Sequence, residues 1–493
     1  MEAIQDIDVR RKSIAKNTPS ERKSELGQFM TPSRIAEFMA NMFETASGMD
    51  IRLLDAGAGI GSLTAAFSES MEKSSPRSLH CATWELDPLL QEHLSETLEI
   101  CRDAFVGTPV VFSSEVHGED FILSASQGIR CGTTPTFTHA ILNPPYKKLR
   151  TDSEHRRALR SVGIETSNLY TAFVALALLM LEDGGELVAI TPRSFCNGTY
   201  FKPFRKMLLD MSAIKQVHVF AARNHAFKGD EVLQENIIFH IVKGAKQGDV
   251  VLSTSSDASF SDLSEKHIPF SEVVINGDDE QIFHLPTDDE ASELGALTHR
   301  FPHTLAELGI GVSTGPVVDF RLKSHLRQEV DADCVPLIYC LHFVDGYVSH
   351  PKQSKKANAI VANDETAKWL MPTGNYVCVR RLSSKEEKRR IVPALFDPKR
   401  VKCERVGFDN HMNVFHEAKK GMSPLLAKGL AVYLGSTFAD RWFRRFNGHT
   451  QVNAGDLRAL RYPSRKTMEA WGRNVGDKLP SQEEIDRMVE GGK

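Results

Sequence analysis

Short apolar runs, each closed by glycine, proline or a carboxylate, set the rhythm of the first half of the chain. Ile51-Arg52-Leu53-Leu54 runs into Asp55-Ala56-Gly57-Ala58-Gly59-Ile60-Gly61, the pattern of a buried strand entering a glycine-rich turn, and a helix begins near Ser62. Cys81-Ala82-Thr83-Trp84 reads as a second strand ending in Glu85, with Leu86-Asp87-Pro88 opening the next helix. A third strand-like unit closes at Asp120-Phe121, and His139-Ala140-Ile141-Leu142 leads directly into Asn143-Pro144-Pro145-Tyr146. Thr171 to Leu181 predicts a buried helix, too short to span a bilayer. Asp183-Gly184-Gly185 then turns into the strand Glu186 to Ile190, and Glu235 to Val242 reads as one more strand. Buried strands interleaved with helices predict an α/β domain.

The strongest chemical signal is the loop after the run at 139–142. Pro144 and Pro145 each fix their own φ and bias the preceding residue toward extended geometry. Such a stiff loop presents the Asn143 amide, the Pro144 carbonyl and the Tyr146 ring together, a site for a flat molecule bearing an exocyclic amine. The glycine turn upstream has G-x-G-x-G spacing, neither the G-x-G-x-x-G of dinucleotide folds nor a phosphate loop ending in G-K-[ST]. Gly57, Gly59 and Gly61 let a ligand approach the main chain, while Asp55 suits a cationic, zwitterionic ligand and repels a pyrophosphate. Glu85 falls where a carboxylate, roughly 20 to 30 residues past such a turn, grips a nucleoside ribose. Asp120 offers an acceptor to an adenine amine, and Phe121 a face to its ring.

Taken in order, these motifs resemble the S-adenosylmethionine-dependent adenine methyltransferases of the gamma motif order, found in type II restriction–modification systems. Gly27-Gln28-Phe29-Met30-Thr31-Pro32 matches the segment with which that family closes over the methionine part, and Thr31-Pro32 opens a helix through Ile35 and Phe38. The resemblance implies a doubly wound, Rossmann-like methyltransferase domain over residues 25–245. In it Gln28, Phe29, Thr31, Pro32, Asp55, Ala56, Gly57, Gly59, Gly61, Glu85, Asp120, Phe121 and Asn143 hold S-adenosyl-L-methionine. It further implies transfer to the N6 amine of adenine in a specific duplex sequence, by base flipping, with no metal and no covalent intermediate. Asn143 and Pro144 accept the amine hydrogens, Pro145 completes the loop, and Tyr146 stacks on the extruded base. Phe227 is the expected clamp on the other face, with Phe220 as the alternative; Asn168 and Tyr170 fall near the cofactor.

Charge changes the picture of the second half. The chain has 493 residues and a net charge of −4, yet residues 301–466 hold 27 Lys and Arg against 16 Asp and Glu. That excess of +11 leaves −15 on the remainder and predicts a polyanion partner for the C-terminal part. The basic residues cluster at Lys352, Lys355, Lys356; Arg380, Arg381; Lys388, Arg389, Arg390; and Arg441, Arg444, Arg445. Residues 301–465 are expected to form a mixed α+β target-recognition domain, with Arg441, Arg444, Arg445, Gln451 and Asn453 on DNA. The family resemblance extends to Thr450-Gln451-Val452-Asn453 followed by Asp456-Leu457 and Pro463. Around these domains lie a charged segment at 1–24, a Ser- and Asp-rich connection or small β insert at 246–300, and a charged helix or tail at 466–493.

Eight cysteines form no C-x-x-C pair and no zinc-spaced cluster, and the N-terminus lacks a signal-peptide core. The expectation is a bacterial cytoplasmic, nucleoid-associated enzyme, monomer or dimer, without membrane contact. Its partners would be double-stranded DNA and a cognate restriction endonuclease encoded separately. Glu417-Ala418-Lys419 matches only the second half of a nuclease motif, and no Pro-Asp precedes it. The alternative activity is methylation of RNA or of a protein glutamine amide through the same N-P-P-Y loop.

Overall fold

The computed structural model describes residues 7–11, 14, 30–44, 47–220, 236–275, 278–285, 301–384, 387–447 and 450–491. Two compact units divide the chain, Met1–Thr287 and Asp288–Lys493.

The first unit is built on nine strands: β1 (Asp50–Ala56), β2 (Ser78–Trp84), β3 (Val111–His117), β4 (Phe137–Leu142), β5 (Leu181–Pro192), β6 (Ser212–Phe220), β7 (Asn236–Lys243), β8 (Val250–Ser255) and β9 (Ser264–Ile268). Their order in the sheet is β3-β2-β1-β4-β5-β7-β6-β8-β9. Strands β1 to β5 pair in parallel, and β7 runs antiparallel between β5 and β6. Every residue of β4 is buried, as a central strand covered on both faces requires. On one face Leu54, Ala56, Ala140 and Leu142 pack with the helices Phe121–Cys131 and Leu169–Met180. On the other, Leu53 and Ile141 pack with the helices Ser33–Ala40 and Ser62–Ser74.

Register places the chemistry. Ala56 pairs with Trp84, and Leu54 with Ala140. Carried one or two residues past the strand ends, that register sets Gly57, Glu85 and Asn143 on one row. The chain winds outward from β1 through β2 and β3, then crosses to β4 on the opposite side. The row therefore stands at the point where the winding reverses, where open α/β sheets bind ligands.

One expectation is corrected and two are made definite. Asp183-Gly184-Gly185 lies inside β5, where the register on β4 shifts between Phe137 and His139, so these residues form a bulge instead of a separate turn. The segment 246–300, expected as a connection or small β insert, contributes β8 and β9 to the sheet within its described residues, with Val250, Leu252, Ser253 and Ser255 buried. The segment 466–493, expected as a helix or tail, is helical and packed: the helices Arg465–Gly472 and Gln482–Glu490 bury Met468, Trp471, Ile485 and Val489. Its apolar residues recur at three- and four-residue spacing, which a count of charges hides.

Two small sheets and five helices make up the described part of the second unit. Six strands follow the order β10-β20-β17-β18-β14-β13: β10 (Gly311–Thr314), β13 (Phe343–Val344), β14 (Tyr347–Val348), β17 (Tyr376–Arg380), β18 (Pro393–Phe396) and β20 (Met412–His416). The other five follow β11-β15-β12-β19-β16: β11 (Leu326–Arg327), β12 (Cys334–Ile338), β15 (Ala359–Val361), β16 (Leu370–Pro372) and β19 (Arg405–Phe408). The helices Pro424–Gly435 and Arg465–Gly472 touch backbone to backbone: a Cβ on Gly429 would lie 1.7 Å from the Met468 carbonyl oxygen, so only glycine fits there.

Candidate active site

A cavity of about 280 Å³ opens at the winding reversal. The turn after β1 forms its floor. Gly57, Gly59 and Gly61 all have positive φ (77°, 59° and 86°), which explains the glycines directly. Gly57 and Ala58 donate to the Trp84 carbonyl at 2.8 and 2.9 Å, tying the turn to the end of β2. Thr31, Gly57, Gly59, Glu85, Asp120, Phe121, Asn143 and Pro145, all expected as site residues, line the cavity together. Pro32, Ala56, Gly61, Pro144 and Tyr146 do not line it. Gln28, Phe29 and Phe227 lie outside the described residues. Phe220 is buried on the far face of the sheet against Phe260 and His218, so it packs as core.

Backbone amides hold the carboxylates in place. Glu85 is buried, and its oxygens accept from Gly59 N–H at 2.9 Å and Asp87 N–H at 2.8 Å. Asp120 caps the helix Phe121–Cys131 by accepting from Leu123 N–H at 3.0 Å. Its other oxygen meets His155 Nε2 at 2.8 Å. His155, on the helix Glu154–Ser161, also lines the cavity; the sequence reading missed it, since a single histidine on a polar helix carries no signal. Burial works to raise the Asp120 carboxyl, but the bonds from His155 and Leu123 hold it below the ordinary carboxylate range. The same hydrogen bond raises the imidazole.

Asp55 is wholly buried, and one oxygen accepts from Thr64 Oγ1 at 2.7 Å. The other has no hydrogen-bond partner among the described residues. Burial pushes this carboxyl up to about 7 against the pull of Thr64. It lies behind the glycine turn and does not itself line the cavity.

Asn143 stands at the end of β4. Its Nδ2 donates to Thr31 Oγ1 at 2.9 Å, and its Oδ1 accepts from the Tyr146 hydroxyl at 3.1 Å. The Thr31 and Tyr146 hydroxyls together hold the amide in place at the strand end. Tyr146 is half-buried, edge-on to Tyr170 with ring centres 6.3 Å apart. Tyr170 is buried and bonds Ser194 through its hydroxyl at 2.7 Å, a packing role; Leu169 and Phe173 of the same helix reach the cavity.

The residues present fit S-adenosylmethionine. Carboxylates at Glu85, Glu119 and Asp120 suit hydroxyls and positive charge and exclude a di- or triphosphate, while Phe121, Ile122, Leu90 and Phe173 suit a heterocycle. A Cβ on Gly57 would sit 3.6 Å from Phe173 and 3.9 Å from Pro145, filling the space where the main chain meets the ligand. The fold and this cavity define an S-adenosylmethionine-dependent methyltransferase.

Comparison with known proteins narrows the class. Residues 95–227 match the Eco57I restriction-modification methylase family. Over 99% of its length the chain is 45% identical to the Type II methyltransferase M.BsuBI of Bacillus subtilis, of which 97% is covered. It is 44% identical to the Type II methyltransferase M.PstI of Providencia stuartii, over 95% of this chain and 92% of that one. The type IIL restriction–modification enzyme MmeI, solved in complex with DNA, shares the fold at a TM-score of 0.52 with 11% identity, covering 93% of this chain and 72% of that one. The chain belongs to the Type II methyltransferases of restriction–modification systems. No helix among the described residues is long and apolar enough to cross a membrane.

The basic C-terminal clusters divide on inspection. Arg390 is fully buried and bonds Ser383 Oγ at 3.1 Å and Asn447 Oδ1 at 2.8 Å. Arg389 donates to the Ser436 carbonyl and to Gln482, and Arg380 pairs with Glu387. Arg444 pairs with Asp440 one helical turn away, at 2.7 Å, and donates to the Glu387 carbonyl. Asn453 caps the helix Ala454–Ala459 by exchanging bonds with Asp456. Arg441 is exposed, and the Arg445 side chain lies outside what is described.

Proposed function

We propose that this methyltransferase modifies the N6 amine of adenine within a specific duplex DNA sequence, the base being turned out of the helix into the Asn143–Tyr146 loop. The observation that carries the reading is the Asn143 amide, level with Gly57 and Glu85 across the sheet and oriented by Thr31. The amine of adenine is a poor nucleophile because its lone pair is delocalised into the ring. Asn143 Oδ1 and the Pro144 carbonyl accept its hydrogens, favour a pyramidal nitrogen and stabilise the positive charge that develops there. The Tyr146 ring stacks on the base, and the stiff proline pair holds both groups in register, so much of the rate gain is positional. S-adenosylmethionine, when bound, supplies an electrophilic methyl group. Gln28 and Phe29 are proposed to close over its methionine part, Glu85 to hold the ribose, Asp120 and Phe121 the adenine, and Phe227 to face Tyr146 across the target base.

The partner of this reading is double-stranded DNA in the bacterial cytoplasm, with protection against a separately encoded endonuclease as the biological role. Transfer of labelled methyl to unmethylated bacterial DNA, followed by nucleoside analysis, tests it. N6-methyladenine in one sequence context is the expected product. N4-methylcytosine, or label in RNA or protein and none in DNA, overturns it.

A further inference from the structure

Four segments far apart in sequence meet along one loop edge of the C-terminal unit. Gly315 makes the meeting possible: a Cβ there would lie 2.1 Å from the Asp409 carbonyl oxygen. Next to it Asn410 N–H donates to the Val317 carbonyl at 2.9 Å, and Arg381 N–H to the His411 carbonyl at 2.9 Å. Val452 N–H donates to the Arg381 carbonyl at 2.7 Å, which brings in the Gln451 segment.

The Arg381 guanidinium is pinned from two sides, by the Asn410 carbonyl at 3.3 Å and by Gln451 Oε1 at 3.4 Å. Its Nε has no partner among the described residues, and neither has Asn410 Oδ1 or Asp409 Oδ2 beside it. Asp409 is 1% exposed. Polar atoms buried without partners are costly and rare; Arg381 and Asn410 are themselves part-exposed, so a ligand on this edge can reach their remaining donors. The apolar side chains Phe320 and Leu382, on the same loops, are 61% and 47% exposed.

We propose that this edge reads base edges in duplex DNA, Arg381 and Asn410 by hydrogen bonds and Phe320 and Leu382 by apolar contact. The inference rests on the function proposed above and names the surface that selects the target sequence. An arginine fork matches the acceptors of a guanine edge, an amide matches adenine, and an apolar side chain meets a thymine methyl. Arg381 is held before the partner arrives, which lowers the ordering cost of binding.

The experiment is methylation of a random-sequence duplex library by the full-length enzyme, with methylated sites read by sequencing, for the wild type, Arg381→Ala and the double variant Phe320→Ala/Leu382→Ala. Arg381→Ala is expected to relax the preference at one base pair by about 10- to 100-fold, with S-adenosylmethionine affinity unchanged. The double variant alters exposed side chains only, so its melting temperature should hold while its discrimination falls. If both variants keep the wild-type site preference, or Arg381→Ala weakens binding uniformly over all sequences, the surface assignment is wrong. Should Arg381→Ala fail to fold, the double variant alone decides. A wild type that methylates no DNA overturns the function itself, whereas a wild type with one clear site and variants that match it overturns only this surface.

Discussion

In the N-terminal unit the carboxylates beside the cavity are held by main-chain amides: Glu85 by Gly59 and Asp87, Asp120 by Leu123. In the C-terminal unit the buried ionic groups are bonded from several segments at once: Arg390 by Ser383 and Asn447, Asp456 by the Asn447 and Asn453 side chains and Asn453 N–H, and Asp440 by Arg444 and the N–H groups of Arg390 and Ile391. The difference follows from where each group sits. Ends of parallel strands and first turns of helices carry amides with no ladder partner, and a carboxylate placed there is oriented while its other lone pairs stay available. A charge bonded from several segments inside a packed unit is turned inward and consumed by the fold. The same residue types thus line a cavity in one unit and tie packed segments together in the other.

The contrast can be broken most sharply at Arg390. Arg390→Met should cost about 3–5 kcal/mol of stability, because it removes the donors to Asn447 Oδ1 and Ser383 Oγ and the cation near Asp456. Denaturant unfolding measures this; a small stability change with a large loss of DNA affinity would make Arg390 a contact residue after all. At the other pole, Asn143→Ala should lower methyl transfer by about 10²- to 10³-fold or more, with the affinity for S-adenosylmethionine largely kept. Near-normal turnover would remove Asn143 from the chemistry.

The third test uses pH. Asp55 and Asp456 are both buried carboxyls, raised by burial to about 7 and about 6 from an ordinary 3.8. An acid whose folded pKa is raised binds its proton more tightly in the folded state. Its contribution to stability is complete below about pH 4 and is lost as pH rises through the folded value. In the cofactor-free enzyme the share of stability carried by these two carboxyls should therefore fall between about pH 4 and 7, and Asp55→Asn should remove the part nearest neutrality, gaining most over the wild type at pH 8. A cationic cofactor favours ionised Asp55, so saturating S-adenosylmethionine should flatten that part and leave the Asp456 part unchanged. Melting curves across pH with and without cofactor check this. Equal flattening of both would mean that the two buried acids do not differ as proposed. The smallest effect is expected from Arg444→Ala, about 1–2 kcal/mol, because buried Asp440 loses its helix partner but keeps the Arg390 and Ile391 N–H donors, with site preference intact.

Several site residues were legible because each follows its own short apolar strand. A run such as His139 to Leu142 identifies a buried strand by itself, and whatever follows it must emerge at the sheet edge. The row of Gly57, Glu85 and Asn143 then needs only parallel pairing in register. The net basic charge of residues 301–466 was equally visible, but its meaning was not, since Arg390 and Arg441 look alike in a sequence and only packing separates them. The strands β8 and β9 were hidden by their serines, which are buried in β8 at Ser253 and Ser255.

The amino-acid sequence by itself determined the strand–turn units, the glycine turn and the stiff Asn143–Tyr146 loop, because those depend on neighbours a few residues apart. Tertiary structure alone decided that Thr31 orients Asn143 across 112 positions, that His155 meets Asp120, and that Gly315, Arg381, Asn410 and Gln451 share one edge. Such contacts form only once distant segments have docked, and the free energy that docks them is spread over the cores of the two units, not written at the residues that meet.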